Sequence, residues 1–379
     1  MPISKPDVVQ LFTDRFGGPP SVVVRAPGRV NLIGEHTDYN DGFVMPLAID
    51  RAVWIALRPR EDRRVEVYSA EFEQAGGFSL ESFHRDGEGW LEYLKGTAWS
   101  LIDAGHSLRG FEGVVTGDVP RGAGLSSSAA LEMATARALC AVSDCPWDPA
   151  VMAKLAQRAE NRWVGVNCGI MDQLISGCGK RDHAVLIDCR TLALEPVPLP
   201  AGAAVVILDT ATRRGLVDSA YNERRACCEE AARFFQVRAL RDISAEQLAA
   251  EGNRLDATTQ RRAGHVVREN ERTKSAAQAM RCGNAEVLGR LMVDSHVSLR
   301  DDYEVSSDAL NAIVDCANEH PACFGARMTG AGFGGCAVAL VRAETAQDFV
   351  SAIGDAYHAK TGLAATAYVC QATDGADVV

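Results

Sequence analysis

Residues 117–139, GDVPRGAGLSSSAALEMATARAL, decide how the rest of the chain is to be read. Gly122 and Gly124 let the backbone pass close to a ligand, and Ser126, Ser127 and Ser128 stand where a helix should begin. Leu131, Ala134, Ala138 and Val142 then fall on one face at helical spacing. The free N–H groups and aligned peptide dipoles of a helix start favour an anion. The stretch from Gly122 through Leu125 to Ser128 therefore reads as a phosphate cradle, with an ordinary serine N-cap as the plainer alternative. It is not a Walker loop, because the chain's Gly179-Lys180 pair is followed by Arg181 rather than Ser or Thr.

Upstream, residues 28–42 read GRVNLIGEHTDYNDG, between two strand-like runs, SVVVRAP and FVMPLAI. Arg29, Asn31, Glu35, His36, Asp38 and Tyr39 are too polar a group to bury without polar partners. A metal would need Glu35, His36 and Asp38 to converge, yet neighbouring residues point apart and no HExxH pattern supports them. Hydroxyl recognition fits better, since carboxylates accept paired hydrogen bonds and histidine donates or accepts. Arg29 supplies the cation that phosphoryl transfer uses, so the expected ligand is a polyol with a phosphate beside it.

Downstream, residues 159–179, AENRWVGVNCGIMDQLISGCG, set Asp172 among Ile170, Met171, Leu174 and Ile175, just after Cys168 and Gly169. Such a carboxylate is either a helix cap or a catalytic group held from bulk water. Residues 328–335, MTGAGFGG, formally satisfy GxGxxG, but the β-prone CAVALV that follows argues against a dinucleotide fingerprint. A glycine loop closing over a ligand and a tight structural turn both remain open there.

The composition is that of an ordinary globular, soluble chain. A chain of 379 residues exceeds what one core usually serves, so two domains are expected. The Pro-rich TLALEPVPLP suggests a boundary near residue 200, giving domains 1–200 and 201–379. A formal charge of -11 argues against nucleic acid as a partner. The twelve cysteines are dispersed without a CxxC, which fits free thiols in a reducing cytoplasm. The N-terminus reads as an amphipathic helix, and no apolar run approaches a membrane span. Strand-rich and helical stretches alternate into two α+β halves with a site between them.

GRVNLIGEHTDYN resembles the sugar signature of the galactokinase family, while PRGAGLSSSAALE and RMTGAGFGGCAVAL resemble the phosphate loop and the third, glycine-rich motif of the GHMP kinases. WLEYLKG, CGIMDQLIS, LVDSAYNERR, SHVSLRDDYEVS and QATDGADV are similar to segments of that family in the same order. The resemblance implies a two-domain α+β fold: a mixed-sheet N-terminal domain, an α+β C-terminal domain and an active site in the cleft between them. It implies phosphorylation of the anomeric hydroxyl of α-D-galactose by ATP with Mg2+, the first committed step of galactose catabolism, in a cytoplasmic monomer. By position in the motifs it gives Arg29 and Asp172 the catalytic roles, and Glu35, His36, Asp38, Gly169 and Tyr221 the sugar. Gly122, Gly124, Leu125, Ser126, Ser127 and Ser128 would hold the phosphates, Trp90 the adenine, and Ser127 with Glu160 the magnesium.

Overall fold

The computed structural model describes residues 3–87, 89–213 and 217–379. Helix α1 (Lys5–Phe16) leads into β1 (Val22–Asn31), β2 (Phe43–Val44), β3 (Pro46–Pro59), β4 (Arg64–Ser69) and β5 (Gln74–Ser79). Helix α2 (Trp90–Asp103), β6 (Phe111–Gly117), α3 (Ser127–Ser143), α4 (Pro149–Ala159), α5 (Met171–Cys178), β7 (His183–Asp188) and β8 (Leu194–Pro198) follow. The second half holds β9 (Ala203–Asp209), α6 (Val217–Phe234), α7 (Ala245–Glu251), α8 (Ala257–Arg281), α9 (Ala285–Asp301), α10 (Asp308–Glu319), β10 (Cys323–Met328), β11 (Cys336–Arg342), α11 (Ala346–Thr361), β12 (Thr366–Cys370) and β13 (Asp377–Val378).

One sheet has the order β13-β1-β3-β6-β4-β5 and is mixed, because β4 runs parallel to β6 while the other pairs are antiparallel. A second, β10-β11-β9-β12, is wholly antiparallel, and a small third joins β2, β7 and β8. The apolar runs around PLAI and VWIALRP, separate strands by their composition, form the single strand β3, with Asp50 and Arg51 half-buried at its centre. The Pro-rich stretch near residue 195 is itself the edge strand β8, where missing N–H groups do no harm.

Helix α3 is almost entirely buried, which its alanines allow by letting it lie close against β1 and β3. On the other face of that sheet, Val8 and Phe12 of α1 pack on Val23, Trp54 and Val114. Ala276, Met280, Leu288 and Met292 of α8 and α9 share one apolar core with β1 and β3, so the halves are joined by burial and not by a free linker. All twelve cysteines are free thiols. Among the described residues no helix is long and apolar enough to cross a membrane.

Candidate active site

The connection after β1 turns sharply at Gly34, whose φ of 98° suits glycine and whose Cβ, if present, would lie 2.6 Å from the Phe43 carbonyl. Its shape is held from a distance. The buried Glu269 of α8 accepts hydrogen bonds from Gly34 N at 3.0 Å and Glu35 N at 3.4 Å, and pairs with Arg272 at 2.7 Å. Burial pushes the Glu269 carboxyl up, but Arg272, His265 and Arg327 outweigh it and hold it at about 2. Glu35 is in turn anchored by the glycine-rich loop: Gly330 N donates to its Oε1 at 2.6 Å and Thr329 Oγ1 at 3.2 Å.

That loop joins β10 to β11, so it is the crossing between two strands and not the start of a dinucleotide-binding helix. Gly335, at φ 83°, lies so close to the phosphate loop that a Cβ would meet the Ala123 carbonyl at 2.7 Å. Its glycines thus let two ligand loops touch.

Ser126 precedes α3 in the left-handed conformation, φ 59° and ψ 49°, without capping the helix. Its hydroxyl donates instead to Asp172 Oδ2. The first turn of α3 carries no acidic residue, so its N–H groups stay available to an anion. Gly122 and Gly124 take φ 64° and 81°, as the curled loop requires. Arg29 sits beneath it: Nη1 donates to the Gly124 carbonyl, while Nε and Nη2 each donate to Asp172 at 2.8 Å. Asp172, in the first turn of α5, is therefore an ion-pair partner and not a cap.

Asp38 is half-buried in the cavity wall near Asp172 and Glu35. Burial and those two carboxylates push its pKa up to about 7, against the Tyr39 N–H and Arg29. Gly169 makes room for it, since a Cβ there would lie 1.7 Å from Asp38 Oδ2. His36 has φ 63°, a rare conformation for a side-chain-bearing residue, and burial drives its pKa down to about 3, so the ring is neutral. Tyr221 packs its ring against His36 and Tyr39. Leu216, which opens the tract containing Tyr221, lies outside the described residues.

All of these side chains line one cavity of about 260 Å3: Arg29, Glu35, His36, Asp38, Gly122, Gly124, Leu125, Ser126, Ser127, Ser128, Glu160, Gly169, Asp172 and Tyr221. Trp90 does not. It lines a second cavity of about 350 Å3, stacked on Phe72 with ring planes 10° apart, and the two cavities share Ser127 and Ser128 as walls. A triphosphate passing those serines would lie with its base among aromatic rings and its far end at Arg29.

Glu160, just after α4, sits in a buried polar group that sequence reasoning saw only in part. The Gln173 amide nitrogen donates to Glu160 at 2.6 Å and to Glu132 of α3 at 3.0 Å, and Cys168 donates to Glu160 at 3.1 Å. Ser128 hydrogen-bonds Glu160, and Ser127 lines the cavity beside them. Glu132 had a visible signal, being the one acid in an alanine-rich helix. Glu269 and Arg327 had none, since charged residues in helical or strand runs are usually solvated.

Carboxylates outnumber cations around the cavity, and the donors are oxygens. That suits a hard divalent cation arriving with a polyphosphate. Among the described residues no three His, Cys, Asp or Glu side chains converge as a complete metal site, so such a cation would take most of its ligands from phosphate and water.

A fold of mixed-sheet and α+β halves, with an anion loop opening a buried helix between them, defines the GHMP kinase class. Residues 92–180 and 275–359 match the N- and C-terminal domains of GHMP kinases, and residues 10–59 match the galactokinase galactose-binding signature. The chain is 50% identical over 371 residues to a galactokinase of Roseiflexus sp. (strain RS-1), covering 97% of this chain and 95% of that one. It is 48% identical to a galactokinase of Chloroflexus aurantiacus, covering 97% and 96%. The crystal structure of Lactococcus lactis galactokinase complexed with galactose superposes with a TM-score of 0.93 at 39% identity, over 97% of this chain and 98% of that one. A mevalonate kinase shares the fold at a TM-score of 0.64 and 18% identity, over 93% of this chain and 100% of that one. The chain belongs to the galactokinase family, and its activity is that of a galactokinase, an ATP-using sugar kinase.

Proposed function

We propose that this chain transfers the γ-phosphoryl group of ATP to the anomeric hydroxyl of α-D-galactose, with Arg29 and Asp172 as its catalytic pair. The observation that carries this reading is the position of that pair, which is bonded to the phosphate loop through Gly124 and Ser126 and lines the same cavity as Glu35, His36 and Asp38 of the sugar turn. Glu35, His36, Asp38, Gly169 and Tyr221 form the sugar end; Gly122 to Ser128 form the phosphate end, and Trp90 the nucleotide end. Residues 1–200 and 201–379 are taken as the two domains that supply them.

The anomeric O–H bond breaks as the oxygen bonds to phosphorus, and the proton passes to Asp172. The bridging β–γ P–O bond breaks in the same displacement, and its electron pair leaves on ADP. Arg29 neutralises charge on the transferring group and fixes Asp172 in place, which is most of what a loose phosphoryl-transfer transition state requires. Glu160, with Ser128 and Ser127, would hold Mg2+, which when bound supplies charge neutralisation for the β- and γ-phosphates.

In this reading the chain acts as a monomer on small molecules in the cytoplasm. The test is ADP formation by purified protein with ATP and Mg2+, offering D-galactose, 2-deoxygalactose, N-acetylgalactosamine, L-arabinose and glucose in parallel. Galactose-dependent turnover with little activity on glucose is expected. Activity confined to another sugar would discard galactose as the substrate, and silence with all five would remove the catalytic reading.

A further inference from the structure

Tyr303 is fully buried and lies behind the cavity, outside its lining. Its ring packs against two imidazoles, 4.8 Å from His36 and 4.7 Å from His265 between centroids, both tilted to it. Its hydroxyl lies 2.7 Å from Tyr39 Oη and 3.2 Å from Cys228 Sγ. Tyr39 Oη lies 2.7 Å from His36 Nδ1. Four side chains thus form one hydrogen-bonded row: Cys228, Tyr303, Tyr39, His36.

Each inner member has a single proton to donate, so the row runs as a whole in one direction or the other. In one direction Cys228 donates to Tyr303, Tyr303 to Tyr39 and Tyr39 to His36 Nδ1. The strongest acceptor, an imidazole nitrogen, then ends the row, and the weak thiol starts it. In the other direction a phenol proton is spent on sulfur, a poor acceptor, and His36 must give up its Nδ1 proton. The first direction is better bonded throughout.

We propose that Tyr303 is a positioning residue which, through Tyr39, holds His36 in the tautomer that carries its proton on Nε2. Resting on the sugar-binding reading of His36, this makes the ring a hydrogen-bond donor to a galactose hydroxyl oxygen. The chemistry around it asks for a donor. Glu35 and Asp38, when ionised, only accept, so a hydroxyl that gives its proton to one of them needs a donor for its own oxygen. His36, neutral because of its burial, supplies that donor without adding a charge.

The variant Tyr303→Phe keeps the ring against the imidazoles and removes only the hydroxyl. Tyr39 then loses the proton it received and accepts one from His36 Nδ1 more readily. In the parent protein, nitrogen-15 spectra of the His36 ring are expected to show Nδ1 bare and Nε2 protonated; in Tyr303→Phe both tautomers should appear. The Michaelis constant for galactose should rise about two- to fivefold, the reciprocal of the fraction of His36 left in the Nε2-protonated tautomer, with that for ATP unchanged. Cys228→Ala leaves Tyr303 donating to Tyr39 and should stay near the parent in both readouts.

A parent spectrum with Nδ1 protonated, or a Tyr303→Phe spectrum unchanged from the parent, overturns the proposal whatever the kinetics. A changed spectrum with an unchanged galactose Michaelis constant overturns the sugar-binding role of His36 instead. A fall in melting temperature with both Michaelis constants raised and the tautomer unmoved would make Tyr303 a packing residue only.

Discussion

Arg29 and Asp172 meet in a two-pronged ion pair, Nε to Oδ1 and Nη2 to Oδ2, both at 2.8 Å, with the guanidinium buried and the carboxylate about a quarter exposed. The third arm of the guanidinium reaches the Gly124 carbonyl, and the Ser126 hydroxyl reaches Asp172. The carboxylate, the guanidinium and the glycine-serine loop are therefore one mechanical unit. Disturbing any member should move the others.

Asp172→Asn keeps the shape but loses the proton acceptor and leaves Arg29 without its counter-charge. The turnover number should fall on the order of 10²-fold or more, with galactose binding, read by calorimetry, largely kept. Arg29→Lys keeps a charge but cannot fork across both carboxylate oxygens and Gly124, so steady-state kinetics should show rate lost more than affinity. A change confined to the galactose Michaelis constant would make Arg29 a binding residue.

Asp38 titrates where enzymes are assayed. If it holds the sugar as proposed, the ionised carboxylate accepts hydrogen bonds from sugar hydroxyls and the protonated form accepts fewer. With its pKa at about 7, kcat/KM for galactose should fall as the pH drops below 7, and the profile of Asp38→Asn should be lower and flatter there. The stability effect has the opposite sense. A carboxyl with a raised folded-state pKa binds its proton more tightly when folded. Its contribution is fullest below the ordinary aspartate value of about 3.9 and is lost as pH rises through about 7. Asp38→Asn should therefore gain more in melting temperature over the parent at pH 8 than at pH 5.

Gly169→Ala tests the fit of the sugar wall. The new methyl would lie 1.7 Å from Asp38 Oδ2, so the carboxylate or the loop must move. A displacement of that size in a positioning group should reduce kcat/KM for galactose on the order of 10²-fold. Binding of an ATP analogue should change little, because Trp90 lines the second cavity, which Gly169 does not reach.

Glu269→Ala removes the buried acceptor of Gly34 and Glu35 N–H and strands Arg272 beside Arg327. Urea denaturation at pH 7 should show roughly 3–5 kcal/mol of lost stability, as expected when one member of a buried pair is removed. In the parent, the Glu269 contribution is complete above the ordinary glutamate value of about 4.3 and fades only as pH falls towards 2. A loss below about 1 kcal/mol would show that the turn does not depend on this acceptor.

The sequence by itself determined the elements whose backbone geometry is local. Gly122, Gly124 and Gly34 are needed wherever φ is positive, and the spacing of Leu131, Ala134 and Ala138 makes a helix of α3 whatever it packs on. The motif order fixed the family and, with it, the fold and the neighbourhood of Arg29, Asp38 and Asp172. Tertiary structure alone decided which buried groups serve those residues. Glu269 and Arg327 come from more than 200 positions away to hold the turn at Glu35, and nothing in VVRENERTK distinguishes a buried acid from a solvated one. Whether Ser127 or Ser128 faces Glu160 depends on the rotation of α3 against α4, and the place of Trp90 depends on a second cavity that no motif spans. A pattern of residue types records what the backbone must do nearby, whereas hydrogen-bond partners across the fold are set by how whole helices and sheets come to rest against one another.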